Sequence, residues 1–491
     1  MAGIILSADI GTSSLKAAYI DFDGRLLAFS RVVYPCDSAG TVGADDWERA
    51  FALTLENLHE LAPDCVPDGV CISGNGPTLA PVTNDGETLP PLFWHDSRMV
   101  LPEAGSQTQA DLNKRQSFFL PHAAWFMKSA PADYEKTRYF VSSHEWLAAR
   151  LGAETLTVLP RAAYEPYFWD DGQCRLFGLD RDKFPPFVQM GSIMGKVSAQ
   201  AASQFGSASG NCLKSGTPIV SGGPDYITAL IGTGTMRPGD VCDRAGSSEG
   251  INVCASGPAE TQDTAGGNNL TTKVNSFTAD GGITGDGLRV VPHFKEGLWN
   301  IGAVISASGT QFEWYRNLSG QRTRDYDEQL AELIPSTDTD LFSGLESLCQ
   351  TVKRPLPPNA SFSTTSSSLE LGRAVLCDMA FAVRHAAQSL AARGFPVREM
   401  RVSGGQARNP RWNQLKADIT GISLVIPEIS DGELAGNAVL AAAALDESSV
   451  SSGADSEWAL EGAAARMIRF REQYMPHNAA YWEDKYLQYL K

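Results

Sequence analysis

Residues 4–16 read IILSADIGTSSLK, and this stretch carries the first indication of the fold. The apolar run from Ile4 to Asp9 predicts a short strand that ends in an acid, and a turn of small residues, 10–14, follows it. Glycine and hydroxyl residues in such a turn present backbone N–H groups and hydroxyls to phosphate oxygens, and Lys16 adds a positive charge nearby. Asp9 stands where it can hold a hydrated Mg²⁺. An ordinary β-turn with an Asx cap is the alternative interpretation.

The regions beyond this turn alternate between predicted strands and helices. A hairpin turn at Asp23-Gly24 precedes a third strand over 25–33, and a helix over 45–61 comes next. Residues 100–215 are predicted to be mostly helical. The other predicted elements are strands that end at Ser73 and Ser221, a helix over 371–393, a strand over 399–402, and helices over 432–445 and near the C-terminus.

Length and composition predict a two-domain protein without a nucleic-acid partner. A chain of 491 residues is too long for one hydrophobic core, and its character changes near residue 240, so we predict domains over 1–240 and 241–491. A net charge of −17 argues against nucleic acid and against an anionic membrane surface. The nine cysteines are scattered, and no apolar run suits a membrane span or a signal peptide. These features predict a cytoplasmic protein with free thiols.

A second glycine turn, residues 221–225, follows an apolar strand and places Asp225 at a helix start. An acid at the carboxyl end of a strand in an α/β protein faces the usual ligand crevice, and there it can act as a general base. A carboxylate that only caps the helix and interacts with its dipole is the alternative.

A third glycine turn, Ser403-Gly404-Gly405-Gln406, runs into Pro410, which starts a helix well. Two glycines after a strand allow a flat ring to lie against the backbone, which is consistent with an adenine site. A plain connector between strand and helix is the alternative.

Taken together, these turns resemble those of the FGGY family of carbohydrate kinases, in the actin, heat-shock chaperone and hexokinase superfamily. The resemblance extends almost from end to end. It includes the segments 9–16, 94–98, 222–225, 244–248, 308–314, 404–421 and 433–438.

The resemblance implies an α/β fold with two ribonuclease-H-like domains that flank a central catalytic cleft. The first domain would bind the sugar, the second would bind ATP, and Asp225 would be the catalytic base while Asp9 holds Mg²⁺. The residues implied in binding the nucleotide and its phosphates are Gly11, Thr12, Ser13, Lys16, Gly246, Ser247, Ser248, Gly309, Thr310, Gly404, Gly405, Gln406 and Asn409.

The predicted substrate site departs from the family pattern. Where xylulokinases carry Gln-Met-His-Gly, this chain has residues 75–78, Asn-Gly-Pro-Thr. Asn75 could bind a sugar hydroxyl or simply form a turn. Trp94 could form an apolar wall or belong to the core, and Tyr226 could contact substrate or pack its helix. The element Pro-Tyr-Leu-x-Gly-Glu-Arg-x-Pro of the second domain is not recognisable, so the oligomeric state stays open, with a homodimer as one option.

The leading hypothesis is therefore a kinase that transfers the γ-phosphate of ATP to a hydroxyl of a small-molecule sugar or polyol, similar to a xylulokinase with an altered sugar pocket. The alternative is a catalytically silent sensor of sugar or nucleotide on the same fold. The acids at positions 9 and 225 count against that alternative, because a pure binding protein needs no base.

Overall fold

The structure, a computed structural model, describes most of the chain and divides it into two compact units. The described residues are 3–35, 42–102, 117–206, 212–246, 248–258, 288–305, 308–335, 339–345, 348–349, 352, 367–446 and 456–490. Unit 1 comprises Met1–Gly234 with Gly432–Ile468, and unit 2 comprises Thr235–Asp431 with Arg469–Lys491. The predicted domains, 1–240 and 241–491, differ from this division mainly because residues 432–468 pack within unit 1.

Unit 1 is built on a six-stranded sheet of order β3-β2-β1-β4-β10-β9. The strands of unit 1, inside and outside this sheet, are β1 Ile4–Ile10, β2 Ser14–Asp21, β3 Leu26–Val33, β4 Gly69–Gly74, β5 Ala80–Thr83, β6 Thr137–Val141, β7 Thr157–Leu159, β8 Phe187–Gln189, β9 Ile193–Lys196 and β10 Pro218–Pro224. Its helices are α1 Ala44–Leu61, α2 Leu120–Ser129, α3 Pro131–Lys136, α4 Ser143–Leu151, α5 Asp171–Phe177, α6 Ala199–Phe205, α7 Asp225–Gly232, α12 Gly432–Leu445 and α13 Ser456–Met467.

Helices cover both faces of the central strand β1. Leu6, Ala8 and Ile10 belong to a core that includes α1 and α4, whereas the hydroxyl of Ser7 donates to the carbonyl oxygen of Leu434 in α12, 2.8 Å away. Successive side chains of a strand point to opposite faces, so α1 and α12 lie on opposite sides of the sheet. Helix α12 is apolar around most of its circumference and needs partners on several sides. It packs against β1, β4, β10 and α7, which explains its place in unit 1.

Unit 2 is built on a seven-stranded sheet of order β13-β14-β12-β11-β15-β16-β17. Its strands are β11 Val241–Ala245, β12 Glu249–Ala255, β13 Arg289–Pro292, β14 Trp299–Ile305, β15 Glu399–Ser403, β16 Ser423–Pro427 and β17 Phe470–Tyr474. Its helices are α8 Ser308–Leu318, α9 Tyr326–Leu333, α10 Ser368–Ala391, α11 Pro410–Thr420 and α14 Ala479–Tyr489.

The two sheets repeat one topology. In unit 1 the antiparallel strands β3, β2 and β1 are followed by β4 and β10, parallel to β1, and then by antiparallel β9. In unit 2 the strands β14, β12 and β11 are followed by β15 and β16 and then by β17, with the same pattern of directions. This repetition confirms the predicted α/β class with two related domains.

Several local predictions are confirmed and one is wrong. The first three strands, α1, α10 and α12 lie close to their predicted positions. Within the described residues of 100–215, the short strands β6–β9 alternate with the helices, so this part of the region is not mostly helical. Runs of three to five residues are too short for a periodic signal. The Ser- and Pro-rich residues 351–368, whose composition predicts a flexible excursion, and the polar residues 447–456, which predict a linker, lie almost entirely outside the described residues.

The structure also bears on the predicted thiols and on membrane association. The cysteines in the described segments are free, and all of them except half-buried Cys65 are buried.

Among the helices of those segments, none combines the length and the apolar character that crossing a bilayer requires.

Candidate active site

Asp9 lies near the carboxyl end of β1 and is held by two neighbouring elements of unit 1. The Ser73 hydroxyl, directly across on the parallel strand β4, donates to Asp9 Oδ1 at 2.7 Å. Asn437 of α12 donates through Nδ2 to Ser73 Oγ at 2.9 Å and to the Ala8 carbonyl oxygen at 2.8 Å. The carboxyl of Asp9 is only 3% exposed, so these contacts fix its orientation.

Asp9 sits in an excess of negative charge. Burial, and after it the carboxylate of Glu433, raise the pKa of Asp9 to about 7, and Asp225 adds to this effect. Lys16, its cross-strand neighbour on β2, and the hydrogen bond from Ser73 act in the opposite direction. Glu433 Oε2 is buried without a hydrogen-bond partner among the described residues. A cation at this position would favour the ionised form of Asp9.

Asp225 is the first residue of α7, directly after β10, as the sequence predicted. The backbone N–H of Tyr226 donates to Asp225 Oδ1 at 2.6 Å, and the side chain of Asp225 is half-buried. The turn depends on Gly222, because a Cβ atom there would lie 1.9 Å from the carbonyl oxygen of Ile72. Asp225 and Asp9 thus share the edge of the sheet at which the parallel strands end.

The turn between β1 and β2 exposes Thr12 and Ser13, while Gly11 is half-buried. Thr12 Oγ1 accepts hydrogen bonds from Asn75 Nδ2 and from Trp94 Nε1, both at 3.2 Å. Two donors occupy the hydroxyl oxygen, so its proton is directed elsewhere.

The predicted substrate residues lie in unit 1 and differ in exposure. Asn75 is buried, and its side-chain oxygen accepts from the hydroxyl of Thr78 at 3.0 Å, so its amide links the turn to the protein interior. Trp94 is half-buried beside Thr12. Tyr226 is half-buried, and its hydroxyl donates to that of buried Tyr164 at 3.3 Å.

The predicted nucleotide turns lie in unit 2 and meet at Gln406. Its Nε2 donates to the Gly246 carbonyl oxygen at 3.1 Å and to Ser308 Oγ at 3.0 Å. Gly246 N–H donates to the Ser248 carbonyl oxygen at 3.0 Å, which closes the turn between β11 and β12. The other predicted residues near these positions are Gly309 and Thr310, in the first turn of α8, and Ser247, which lies outside the described residues.

The turn after β15 contains a strained position and an open one. Gly404 has φ +96°, a conformation that favours glycine, and a Cβ atom there would lie 2.5 Å from the Ala245 carbonyl oxygen. A Cβ atom on exposed Gly405 would meet nothing within 4 Å. Asn409 caps α11 by accepting from the Trp412 N–H at 3.0 Å, and its Nδ2 donates to Asp327 at 2.7 Å.

Sequence reasoning missed Ser73 as a partner of Asp9. The family resemblance implies that the segment 433–438, which contains Asn437, belongs to a helix beside the adenine. The structure places that segment, α12, against the sheet of unit 1. Sequence reasoning also missed the buried cluster of Lys416, Asp243 and Glu249 in unit 2. No short pattern marks this cluster, because its three members come from β11, β12 and α11.

Comparison with known proteins identifies the family. The sequence model for the N-terminal domain of the FGGY family of carbohydrate kinases matches residues 4–232, and that for the C-terminal domain matches residues 288–445. The chain belongs to the FGGY family of carbohydrate kinases. This confirms the predicted resemblance, and the protein is an ATP-dependent kinase that acts on a carbohydrate.

Relatives of this carbohydrate kinase extend along most of its length. A xylulose kinase of Bacillus subtilis is 24% identical over 476 residues, which cover 89% of this chain and 87% of the relative. An autoinducer-2 kinase of Yersinia enterocolitica is 22% identical over an alignment of 542 positions, covering 98% of this chain and 92% of the relative. A solved xyloylose kinase from Brucella ovis has the same fold, with a TM-score of 0.69 at 17% identity, over 99% of this chain and 98% of that structure. The catalytically silent alternative is not favoured.

Proposed function

We propose that this kinase transfers the γ-phosphate of ATP to a hydroxyl of a small sugar or polyol, with Asp225 as the general base. The observation that carries this proposal is the pairing of two acids on one edge of the unit 1 sheet. Asp9 is buried and fixed, whereas Asp225 is half-buried at the start of α7. One acid is thus suited to hold a cation and the other to reach an incoming hydroxyl.

Asp225 would remove the proton from the acceptor hydroxyl as its oxygen attacks the γ-phosphorus. The bond from that phosphorus to the bridging oxygen of ADP breaks, and ADP leaves. A sugar hydroxyl is a weak nucleophile, so an aligned carboxylate assists the attack. The N–H of Tyr226 holds one carboxylate oxygen of Asp225 at 2.6 Å, which orients the group.

Asp9 fits the role of a Mg²⁺ ligand. Ser73 holds Oδ1, and the nearby carboxylates of Glu433 and Asp225 favour a cation at this place. In the part of the chain that the structure describes, no group of three His, Cys, Asp or Glu residues could hold a metal. Mg²⁺ is usually held by one or two carboxylates with water and substrate phosphates, so one acid suffices. The ion would supply neutralisation of the phosphate charge.

The glycine turns would bind the nucleotide and its phosphates. In unit 1, the exposed turn of Gly11, Thr12 and Ser13 offers backbone N–H groups and hydroxyls, with Lys16 nearby. In unit 2, the open surface over Gly405 can accept a flat ring. The remaining residues that we assign to this role are Gly246, Ser247, Ser248, Gly309, Thr310, Gly404 and Gln406, with Asn409 acting through its cap of α11.

The acceptor would bind near Trp94 and Tyr226. Both side chains are half-buried, so each presents a surface to a ligand. Asn75 would support this site indirectly, because its amide holds Thr12. The relatives include a xylulose kinase and an autoinducer-2 kinase, so we propose that a small hydroxylated compound of this kind is the acceptor.

The test is an ADP-release assay with ATP, Mg²⁺ and a panel of pentuloses, hexuloses, aldoses and polyols. With an accepted substrate, Asp225→Asn should lower kcat by roughly a hundredfold or more while ADP binding persists. Asp171→Asn is the matched control, because Asp171 also begins a helix but is exposed and pairs with Arg181. A variant at position 225 that keeps more than about a tenth of kcat would refute the role of base.

A further inference from the structure

Unit 2 contains a cluster of three ionisable side chains that are shielded from solvent. Lys416 of α11 contacts Asp243 of β11 and Glu249 of β12 through its Nζ atom, and all three side chains are 0% exposed. The contacts join Nζ to Asp243 Oδ2 and to Glu249 Oε1. Such burial is costly unless the charged groups have partners, so loss of one member should affect the others.

Two carboxyl groups surround the Lys416 ammonium in this cluster. Burial, and after it Glu249, raise the pKa of Asp243 well above its usual range, which favours its neutral form. Burial alone would lower the pKa of Lys416, but the two neighbouring carboxyls raise it, so the ammonium keeps its charge. Lys416 is thus the cation of the cluster, and its Nζ contacts one oxygen of each carboxyl group.

A directed chain of hydrogen bonds connects this ion pair to the predicted nucleotide turns. Trp412 Nε1 can only donate, and it donates to Gln406 Oε1 at 3.1 Å. The amide nitrogen of Gln406 must therefore face Gly246 and Ser308. Ser308 Oγ accepts from Gln406 and sends its own proton to Glu249 Oε2 at 2.5 Å. The donors Trp412, Gln406 and Ser308 thus lead in one direction to Glu249, and Gln406 makes one further hydrogen bond, to Gly246.

We propose that Lys416 is a positioning residue for nucleotide binding, acting through Glu249, Ser308 and Gln406. By holding Glu249 as a hydrogen-bond acceptor, Lys416 fixes the end of the chain that receives the Ser308 proton. The chain joins the turn at Gly246, the start of α8 and the turn after β15 into one arrangement. This inference rests on the proposed assignment of the nucleotide to those turns, which Lys416 itself does not touch.

The chain predicts an unusual pattern of effects in variants. In Glu249→Gln, Lys416 can only donate, so the amide oxygen at position 249 turns towards Lys416. The amide nitrogen then faces Ser308, and the Ser308 hydroxyl has no acceptor for its proton. In Lys416→Met, Glu249 loses the ammonium that contacts Oε1, so the orientation of its carboxyl group towards Ser308 is no longer fixed. In the double variant no lysine competes, so the amide introduced at position 249 can turn its oxygen to Ser308 and its nitrogen to Asp243. The second substitution should therefore partly repair the first.

The experiment measures ADP binding by calorimetry, together with KM for ATP and for the acceptor. Each single variant should weaken ADP binding by roughly tenfold, since coupled hydrogen-bond networks give effects of this order. KM for ATP should rise in step, and KM for the acceptor should change by less than about twofold. The double variant should recover to within roughly threefold of the unmodified protein. A double variant that binds ADP as weakly as the product of the two single effects would overturn the proposal.

Two further variants separate nucleotide positioning from stability. Ser308→Ala breaks the chain while leaving the charges intact, so it should weaken ADP binding without the fall in Tm expected of Lys416→Met. Arg384→Met removes another buried cation of unit 2, which contacts Glu483 and the Ile419 carbonyl oxygen instead. It should lower Tm and leave ADP affinity unchanged. If Ser308→Ala binds ADP normally, Lys416 has a purely structural role and the proposal fails.

A last variant identifies which proposal is at fault. A side chain at position 405 would fill the open surface of the turn, so Gly405→Leu should abolish ADP binding. If it does not, the nucleotide assignment fails and the role of Lys416 fails with it. If it does, while the Lys416 and Ser308 variants bind ADP normally, only the inference about Lys416 is overturned.

Discussion

Asp9 and Asp243 lie on corresponding strands, β1 and β11, of two sheets with the same topology, yet the charges around them differ. Each lies near the carboxyl end of the strand that joins the antiparallel and parallel parts of its sheet. Asp243 contacts a buried lysine of its own unit, Lys416. Asp9 instead faces added negative charge from Glu433 and Asp225, which Lys16 only partly offsets. Asp243 therefore has a cationic partner within the protein, whereas Asp9 is suited to bind a cation from solution.

The largest effect that tests this comparison is on activity. Asp9→Asn should lower kcat by roughly a hundredfold or more, because the carboxylate that we propose as the Mg²⁺ ligand is lost from a site of electrostatic stabilisation. Asp243→Asn, the matched change in unit 2, should cost far less, since Asp243 favours its neutral form. ADP release at saturating substrate measures both. Equal losses in the two variants would show that the acids do not differ in role.

The next largest effect is on stability. Lys416→Met should lower the free energy of unfolding by about 3–5 kcal/mol, because it leaves buried carboxyls without their cation. Lys16→Met should have a clearly smaller effect, since Lys16 is half-buried. Urea denaturation followed by circular dichroism gives both values. A loss in Lys16→Met that matches that of Lys416→Met would contradict the comparison.

A buried ionisable group can also stay neutral and so need no partner of opposite charge. His144 is the example in unit 1. Burial lowers the pKa of His144 to about 3, and neither ring nitrogen has a hydrogen-bond partner among the described residues. As the pH falls through about 6.5, His144 becomes protonated in the unfolded chain but not in the folded state, so acid favours unfolding. From pH 7 to pH 5 this single group should lower the free energy of unfolding by about 2 kcal/mol.

Urea titrations at several pH values test this prediction. His144→Gln should remove that part of the pH dependence relative to the unmodified protein, and the change of exposed His95 to Gln should not. Glu145, whose pKa burial raises to about 7, acts with the opposite sign, so the difference between variants is the informative quantity. Parallel pH profiles for the position 144 variant and the unmodified protein would mean that His144 accepts a proton in the folded state.

The smallest expected change in the free energy of unfolding comes from an ion pair on the surface. Arg150 and Glu48 form an ion pair of 2.8 Å on the surface of unit 1. Solvent screens such a pair, so Arg150→Ala should change the free energy of unfolding by less than about 1 kcal/mol. Thermal or urea unfolding measures the change. A loss as large as that of Lys416→Met would show that burial does not decide the value of a charge pair here.

The sequence allowed the local parts of the site to be predicted. Asp9, the turn after it, and Asp225 at the start of α7 follow from short patterns in which strand, glycine turn and acid are adjacent. The two-domain α/β class followed from length and from the resemblance of these turns to a family.

The long-range contacts could not be read from local patterns. Asn437 reaches Ser73 across 364 positions, and Lys416 reaches Glu249 across 167. No periodicity reports such a pairing, since it depends on how whole sheets and helices pack. The burial of Asn75 has the same origin, because its partner Thr12, which also binds Trp94, comes from a separate segment.

The return of α12 to the first sheet affects the order in which the protein can be completed during synthesis. Residues 1–234 leave the ribosome without the helix that covers one face of their sheet, and with it they lack Asn437. Unit 2 is likewise interrupted and waits for Arg469–Lys491, which supplies the edge strand β17. Neither unit is therefore a continuous piece of polypeptide, and a chain that stops at residue 240 would expose the apolar surface that α12 otherwise buries.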